Sequence, residues 1–536
     1  MIELPRAFLT KMEQLLGDEF APFMASYEHE RLYGLRLNRL KLNADEWRAI
    51  TPFGSDLRRV PWNGDGYYYK EDMRPGKHPF YHAGLYYIQE PSAMAPVELL
   101  DVQPGHRVLD LCAAPGGKST QIAGKLQGRG VLVSNDNASE RTKALAKNIE
   151  LAGVRNAVVL NAEPSALIPA FRGWFDRILI DAPCSGEGMF RKDDSMIAGW
   201  EKHSVERCSV MQRDILRDAA LLLAPGGVIV YSTCTFSPEE NEAQIAAFLA
   251  ANPHFELLPS EHDFGWRPGN PDWAGEAKDE LDAERLASIA GTVRLWPHLL
   301  EGEGHYAAVL RKREDSGEAK PPAEMEERTV ETKALSVSDN DRSRSRGKKD
   351  RLALQAGEKR HAGKAGGNLK GRGASRPVER TEDAAASWLQ FAQANLTGSG
   401  WDEGKIVAFG SRVYLQPQEL PSLDGVRVVR AGWYVGEAER GRFEPSQALA
   451  MGLQKQWAKR SIRFSSEDPA VIRYLKGETL FVEPEAVELV EGDSDRNKAA
   501  LRGYVLVCVE GYPLGWGKYS DGGMLKNELP AGWRYV

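Results

Sequence analysis

Between residues 107 and 311 the chain alternates short apolar runs with longer stretches in which apolar positions recur every three or four residues. The first pattern predicts buried strands and the second amphipathic helices. The strand candidates are 107–111, 131–135, 157–160, 175–180, 228–232 and 306–311, and the helices between them include 118–125, 139–152, 205–223 and 238–250. Strand alternating with helix predicts an α/β fold: a doubly wound, mostly parallel sheet covered on both faces. Ala224-Pro225-Gly226-Gly227 is expected to stop one helix and release the chain into the next strand.

The flanks differ. Over the first hundred residues, 4–16 predicts a short amphipathic helix and 34–40 an alternating strand. An aromatic group follows (Trp62, Tyr67, Tyr68, Tyr69, Tyr81, Tyr86, Tyr87) that suits either a core or the stacking of bases. Beyond Trp388 the pattern is again strand-rich, with strands expected at 406–409, 426–432 and 503–509 and a glycine-broken loop at 511–518.

Of the 536 residues, 42% are hydrophobic and 27% charged, as in globular proteins, and the formal net charge of −7 hides a local contrast. Residues 341–380 hold thirteen Lys and Arg against four Asp and Glu, whereas 314–340 hold three basic and eight acidic residues. No Phe, Trp or Tyr lies between Tyr306 and Trp388. Such a segment buries too little to offset its ordering entropy, so 314–385 reads as a disordered charged linker whose basic half could meet phosphates. The N-terminus lacks a signal-peptide layout and no apolar run reaches the roughly 20 residues of a membrane helix, so a cytoplasmic protein without a membrane partner is expected. Domains are expected at 1–100, 101–313, 386–480 and 481–536 around that linker.

Five cysteines, none in a C-x-x-C or Cys/His spacing, predict reduced thiols and no metal. Two are placed for chemistry. Cys184 follows the 175–180 strand in Asp181-Ala182-Pro183-Cys184-Ser185-Gly186, and Cys234 follows the 228–232 strand in Ser232-Thr233-Cys234-Thr235. If those strands are neighbours, their ends lie about 5 Å apart on the sheet's carboxyl edge, where α/β folds bind ligands. Two thiols facing one pocket suit few reactions, and addition to C6 of a pyrimidine is one. Singly, each would read as a packing thiol.

Asp110-Leu111-Cys112-Ala113-Ala114-Pro115-Gly116-Gly117-Lys118-Ser119 leaves the first strand and enters a helix. Its small residues let a ligand approach the backbone at the helix N-terminus. A phosphate-binding loop would need glycine where Cys112 stands. Asp136 closes the second strand, where an acid can accept from a ribose diol, and Glu163 closes the third. The set suits an adenosyl group that carries a cation rather than phosphates.

Taken in order, Asp110–Lys118, the Asp-Ala-Pro-Cys-Ser-Gly-Glu-Gly run at 181–188 and the Tyr-Ser-Thr-Cys-Thr-Phe-Ser-Pro-Glu-Glu-Asn-Glu run at 231–242 resemble the motifs of the NOL1/NOP2/sun family of RNA cytosine-C5 methyltransferases. The likeness covers roughly residues 1–312, and the tail resembles the branch of that family with a C-terminal PUA-like RNA-binding extension. The resemblance implies a Rossmann-like class I methyltransferase domain between a small α+β RNA-binding domain and a strand-rich PUA-like region. It implies S-adenosyl-L-methionine as cofactor, and a monomer acting on 16S rRNA, either free or within the small ribosomal subunit. Cys234 would attack cytosine C6, and Cys184 would assist loss of the C5 proton and release of the adduct. Asp181 would face the cytosine N3/N4 edge beside Lys118. Cys112, Ala113, Ala114, Pro115, Gly116, Gly117 and Lys118, with Asp136, Glu163 and Asp181, would hold the cofactor. Ser119 stands where the family often has threonine, and Glu163 where aspartate is commoner. A tRNA substrate is the alternative within the class. A catalytically silent assembly factor is the alternative outside it, and the intact Cys184, Cys234, Asp181 and Asp136 weigh against silence. A DNA enzyme would use the Pro-Cys thiol alone.

Overall fold

The computed structural model describes residues 4–54, 57–192, 194–200, 205–261, 264–314, 377–398, 403–490 and 500–535. Its centre is a ten-stranded sheet. Strands β1 (Arg107–Asp110), β2 (Val131–Asn135), β3 (Ala157–Leu160), β4 (Phe175–Asp181) and β5 (Leu223–Thr233) run parallel in the order β3-β2-β1-β4-β5. Beyond β5 lie β6 (Phe255–Leu258), β7 (Arg267–Pro268), β8 (Val293–Leu295) and β9 (His305–Lys312), with β9 antiparallel to β5 and both β6 and β8 paired to β9.

Adjacent strand residues point to opposite faces, and the core divides accordingly. Leu109, Val133, Ile178 and Ile229 join one cluster with Leu167, Ile215 and Leu249 from helices α3 (Pro164–Phe171), α4 (Val205–Leu222) and α5 (Glu242–Ala251). Their neighbours Val108, Leu132, Leu179 and Val230 join another with Ile122 and Leu145 from α1 (Gly117–Leu126) and α2 (Ser139–Leu151). With both faces covered, consecutive positions in the middle of the central strands are buried, which is why their middles read as short apolar runs. The order in which strands are added reverses between β1 and β4, so the ligand crevice of such a sheet opens at their carboxyl ends. One detail departs from expectation: β5 begins at Leu223, ahead of the Pro-Gly-Gly break, and its pairing shifts between Phe175 and Arg177 to accommodate that segment.

The N-terminal region places a four-stranded antiparallel sheet (Arg58–Arg59, Gly66–Tyr69, Tyr33–Leu37, Tyr86–Ile88) behind helix Arg6–Leu16. The helix buries Phe8 and Met12 in a cluster with Phe190 and Phe236, residues that follow the two cysteine motifs. Trp62, Tyr67, Tyr68, Tyr69 and Tyr86 are buried core residues rather than a stacking surface.

Most of the stretch expected to be linker lies outside the described residues, and its last part, from Pro377, belongs to helix Pro377–Asn395. That helix packs with a four-stranded sheet of strands Lys405–Phe409, Arg412–Gln416, Trp433–Glu439 and Arg442–Pro445. A six-stranded sheet follows, starting at Arg460–Phe464 and including Leu480–Phe481 and Met524–Asn527, so the division expected at 480/481 falls inside one sheet. The glycine-broken loop expected at 511–518 is instead occupied from Tyr512 by strand Tyr512–Tyr519, paired with Gly503–Val509. Its glycines serve close approach: a Cβ on Gly515 would sit 2.6 Å from the Tyr474 hydroxyl, and one on Gly517 2.6 Å from Leu525 Cδ1.

The tail also enters the central sheet. Strand β10 (Val428–Arg430) pairs antiparallel with β3, Leu423 and Val426 join the central core, and Arg430 ion-pairs with Glu150 on α2. Among the described residues no helix is long and apolar enough to cross a membrane.

Candidate active site

Strands β4 and β5 are neighbours in register, with Asp181 beside Ser232, so the loops leaving them run side by side. This brings Cys184 Sγ to 3.4 Å from Cys234 Sγ, both half-buried free thiols. Two fully buried carboxylates hold the loops. Glu240 accepts from the Ser185 N–H (2.9 Å), the Ser185 hydroxyl and Gln212 Nε2 (2.9 Å), tying the Cys184 loop to α4. Glu187 accepts from Thr235 Oγ1 (3.0 Å), Phe236 N–H (3.1 Å) and Ser237 Oγ (2.8 Å), tying that same loop to the residues after Cys234. Gly188 lets the loops cross: its N–H donates to Cys234 O at 2.9 Å, and a Cβ there would lie 2.6 Å from Gly304 O. A buried hydrogen-bonded network of this kind favours one arrangement of its members.

Across from the thiols, Lys118 Nζ donates to Asp181 Oδ2 at 2.7 Å, and Ser232 Oγ donates to Asp181 Oδ1 at 3.2 Å. Burial alone would raise the Asp181 pKa, but the Lys118 charge and the hydrogen bonds from Lys118 and Ser232 outweigh it, and Asp181 is held below the usual carboxylate range. For Lys118, burial works against the charge, yet the Asp181 carboxylate wins and its pKa rises. The pair is therefore ionised. The Cys184 thiol is pushed well above its ordinary value, first by its hydrogen bond with Cys234 and then by burial, so Cys184 keeps its proton beside its neighbour.

The other half of the edge is built by the 112–117 turn. Its backbone is tied down by Ala113 N–H to Asn135 O (2.8 Å), Arg141 Nη2 to Ala114 O (2.6 Å) and Asn148 Nδ2 to Pro115 O (2.8 Å). Gly116 turns at φ +111°, outside the range comfortable for other residues. Asp136 accepts from the Ala114 N–H (3.2 Å) and the Ala138 N–H (2.9 Å), with Arg141 Nη1 3.5 Å away, and is almost fully buried. Glu163 sits one strand further out, its carboxylate accepting from Asn137 Nδ2 at the surface. Cys112 packs at the base of the turn, where burial raises its pKa first and the charge of Asp110 adds to it. Asp110 is fully buried: Oδ2 accepts from Ser119 Oγ at 2.6 Å, and Oδ1 has no partner. Burial drives its pKa up to about 7, and the nearby Asp181 and Asp136 charges add to this.

The structure thus brings Cys184, Cys234, Asp181 and Lys118 into one cluster and sets Asp136 against the Cys112–Gly117 turn, with Glu163 peripheral. Glu187, Glu240, Ser232 and His305 were not singled out in the sequence. The two glutamates lie inside the cysteine motifs, and their position there was the available signal; a lone histidine at a strand start offered none.

Four family models match the chain in succession. They are the N-terminal domain of 16S rRNA methyltransferase RsmF over residues 4–91, 16S rRNA methyltransferase RsmB/F over 97–311, the RsmF first C-terminal domain over 390–453, and the RsmF PUA domain over 461–535. The chain is 34% identical over 318 residues to ribosomal RNA small subunit methyltransferase F of Erwinia tasmaniensis, covering 58% of this chain and 63% of that one. It is 36% identical over 325 residues to the protein of the same name from Vibrio vulnificus, covering 58% and 64%. The matched region therefore spans less than two thirds of either relative. A solved methyltransferase homologue from Pyrococcus horikoshii shares 30% identity over 58% of this chain and 96% of its own, with a TM-score of 0.49. Matched along its N-terminal, catalytic and C-terminal regions alike, the chain belongs to the RsmB/F family of 16S rRNA methyltransferases.

Proposed function

We propose that the protein methylates C5 of cytidine in 16S rRNA, using S-adenosyl-L-methionine and a transient covalent bond between Cys234 and cytosine C6. The observation that carries this reading is the 3.4 Å pairing of two free thiols opposite an ionised Lys118–Asp181 pair. A single buried thiol has many explanations, whereas two in contact at the ligand-binding edge suit a reaction that must make and later break a C–S bond.

The residues also fit the cofactor. Asp110, Asp136 and Asp181 end three adjacent strands, and Asp110 Oδ1 is a buried acceptor without a donor. A cationic ligand answers both features, and the Cys112–Gly117 turn, Asp136, Glu163 and Asp181 would hold it. When bound, it supplies an electrophilic methyl group.

The protein's own groups would then work in sequence. The Cys234 thiolate forms the S–C6 bond, and the displaced π pair makes C5 nucleophilic. Asp181, kept as a carboxylate by Lys118, accepts from the cytosine amino group and orients the ring. After methylation, the C5 proton leaves to a base, its bonding pair re-forms the C5–C6 double bond, and Cys234 departs as thiolate. Cys184, once its own proton has passed to solvent, is the base in reach. Its pKa is raised chiefly by Cys234, and once Cys234 is bonded to carbon that influence is gone. The second thiol thus becomes free to ionise at the stage that needs it.

The test is transfer of a labelled methyl group to free 16S rRNA, to assembled small subunits and to tRNA, with bisulfite sequencing of each. Label in a 16S rRNA cytidine is expected. Label confined to tRNA, or none with intact cofactor binding, would overturn the reading.

A further inference from the structure

A buried chain of polar groups leads from the N-terminal region into the pocket. Glu90 accepts from the N–H groups of Ser92 (3.0 Å), Ala93 (2.8 Å) and Glu303 (2.8 Å), and the Ser92 hydroxyl donates to it as well. Burial opposes the Glu90 charge, but these donors hold it below the ordinary range, so it is a carboxylate and only accepts. The hydroxyl of Ser92, its one hydrogen used, can only accept from His305 Nδ1, 3.4 Å away. This fixes the proton of the ring on Nδ1. Burial and the Lys118 charge push the ring pKa down to about 4, so it is neutral and Nε2 is a bare lone pair.

That Nε2 is buried, has no partner, and lies 3.9 Å from Asp181 Oδ1, another acceptor. Two acceptors stand side by side with no hydrogen between them, next to Lys118. An amine nitrogen at ordinary hydrogen-bond distance from each fits over a span of this length. We propose that His305 Nε2 and Asp181 Oδ1 together receive the two N–H bonds of the cytosine 4-amino group, making His305 a specificity-determining residue for cytosine over uracil. Uracil would present its O4 lone pairs to two acceptors and leave His305 Nε2 unsatisfied, the kind of mismatch that discriminates strongly. The inference rests on the cytosine reading above and extends it to a residue that the cysteine motifs do not contain.

The experiment compares methyl transfer to RNA carrying cytosine at the methylated position with transfer to RNA carrying 2-pyrimidinone there, which lacks only the amino group. Wild-type protein should prefer cytosine by about a hundredfold, roughly tenfold for each hydrogen bond lost. His305→Asn keeps a donor toward Ser92 but cannot reach the Nε2 position, and should lose about tenfold of that preference. His305→Gln places an oxygen near the Nε2 position and should stay within about threefold of wild type. Ser92→Ala, which frees the ring to protonate Nε2 and turn it toward Asp181, should also lose about tenfold and serves where the Asn variant does not fold. Full preference in His305→Asn or in Ser92→Ala, or equal loss in the Asn and Gln variants, would overturn the proposal. Failure of wild-type protein to methylate either RNA would instead overturn the cytosine reading itself.

Discussion

On the β4–β5 half of the sheet edge, each buried acid has its partners within the chain. Asp181 has Lys118 and Ser232, Glu187 has three donors from the Cys234 loop, and Glu240 has Ser185 and Gln212. On the β1–β2 half, Asp110 keeps one oxygen unpaired and its pKa is driven up to about 7, while Arg141, the cation nearest Asp136, is more than half exposed. The thiol half is preorganised by the protein alone, as a site that stabilises developing charge must be. The β1–β2 half leaves a buried carboxyl oxygen without a partner, which a bound cationic ligand would relieve. Their borders differ too: N-terminal Phe8 and Lys11 lean on the thiol loops, whereas β10, from the far end of the chain, closes the β3 edge.

The sharpest way to break this comparison is at the thiols. Cys234→Ala is expected to abolish both methylation and covalent attachment to RNA. Cys184→Ala should permit attack but stall release, so that a protein–RNA adduct accumulates on denaturing gels. Adduct from Cys234→Ala but not from Cys184→Ala would reverse the two roles.

Next in size is removal of the tail after residue 314. A disordered tether would let the tail act as a separate RNA-targeting module, in which case truncation would spare cofactor binding and impair native RNA far more than a short oligonucleotide. The packing of Leu423 and Val426 in the central core and the β10–β3 pairing point elsewhere. Losing those two side chains from the core should cost about 3–6 kcal/mol, at the scale of burying two aliphatic residues. Chemical denaturation is expected to show this, with parallel losses on long and short RNA. Unchanged stability would restore the tether picture.

How far these features were legible in the sequence depended on whether their cause was local. The strands β1 to β4 could be placed to within a residue because burial on both faces leaves an unbroken apolar run. Residues 426–432 were readable as a strand but not as a neighbour of β3, since three residues of edge pairing leave no periodic trace. The glycines at 515 and 517 looked like loop formers, and only the tertiary packing shows that they make room for Tyr474 and Leu525. Cys184 and Cys234 could be paired in advance because the order of parallel strands brings their ends together. His305 could not, because its meaning lies in Ser92 and Asp181, both more than a hundred residues away in sequence.

Acidity offers a finer test of the two halves. The native protein keeps a proton on Asp110 up to about pH 7, whereas an unfolded chain releases it near 3.8. The contribution of this group to stability is therefore fully present below about pH 4 and is lost as pH rises through 7. A shift of this size corresponds to about 4 kcal/mol across that window. Asp110→Asn removes the titration while its amide oxygen can still accept from Ser119, so its stability should rise relative to wild type between about pH 4 and pH 7. Parallel pH profiles for the two proteins would show that Asp110 carries no such strain.

The smallest expected effects separate two carboxylates assigned to the same ligand. Asp136 is buried, held by two backbone N–H groups and close to the turn, so any hydrogen bond it makes to a ribose diol is charge-assisted and shielded from water. Asp136→Ala should weaken S-adenosyl-L-methionine binding by about 1.5–3 kcal/mol, the range for hydrogen bonds to charged groups. Glu163 lies at the surface with Asn137 as its partner, and a contact there competes with solvent. Glu163→Ala should therefore cost below about 1 kcal/mol, within the range of a neutral hydrogen bond. Because Asp136 also braces the turn, calorimetry of cofactor binding must be paired with a melting curve of the free protein. If binding falls only as far as the turn loosens, Asp136 is a brace and not a ligand. If Glu163→Ala costs as much as Asp136→Ala, burial does not rank the two contacts, and the third strand contributes to the site as fully as the second.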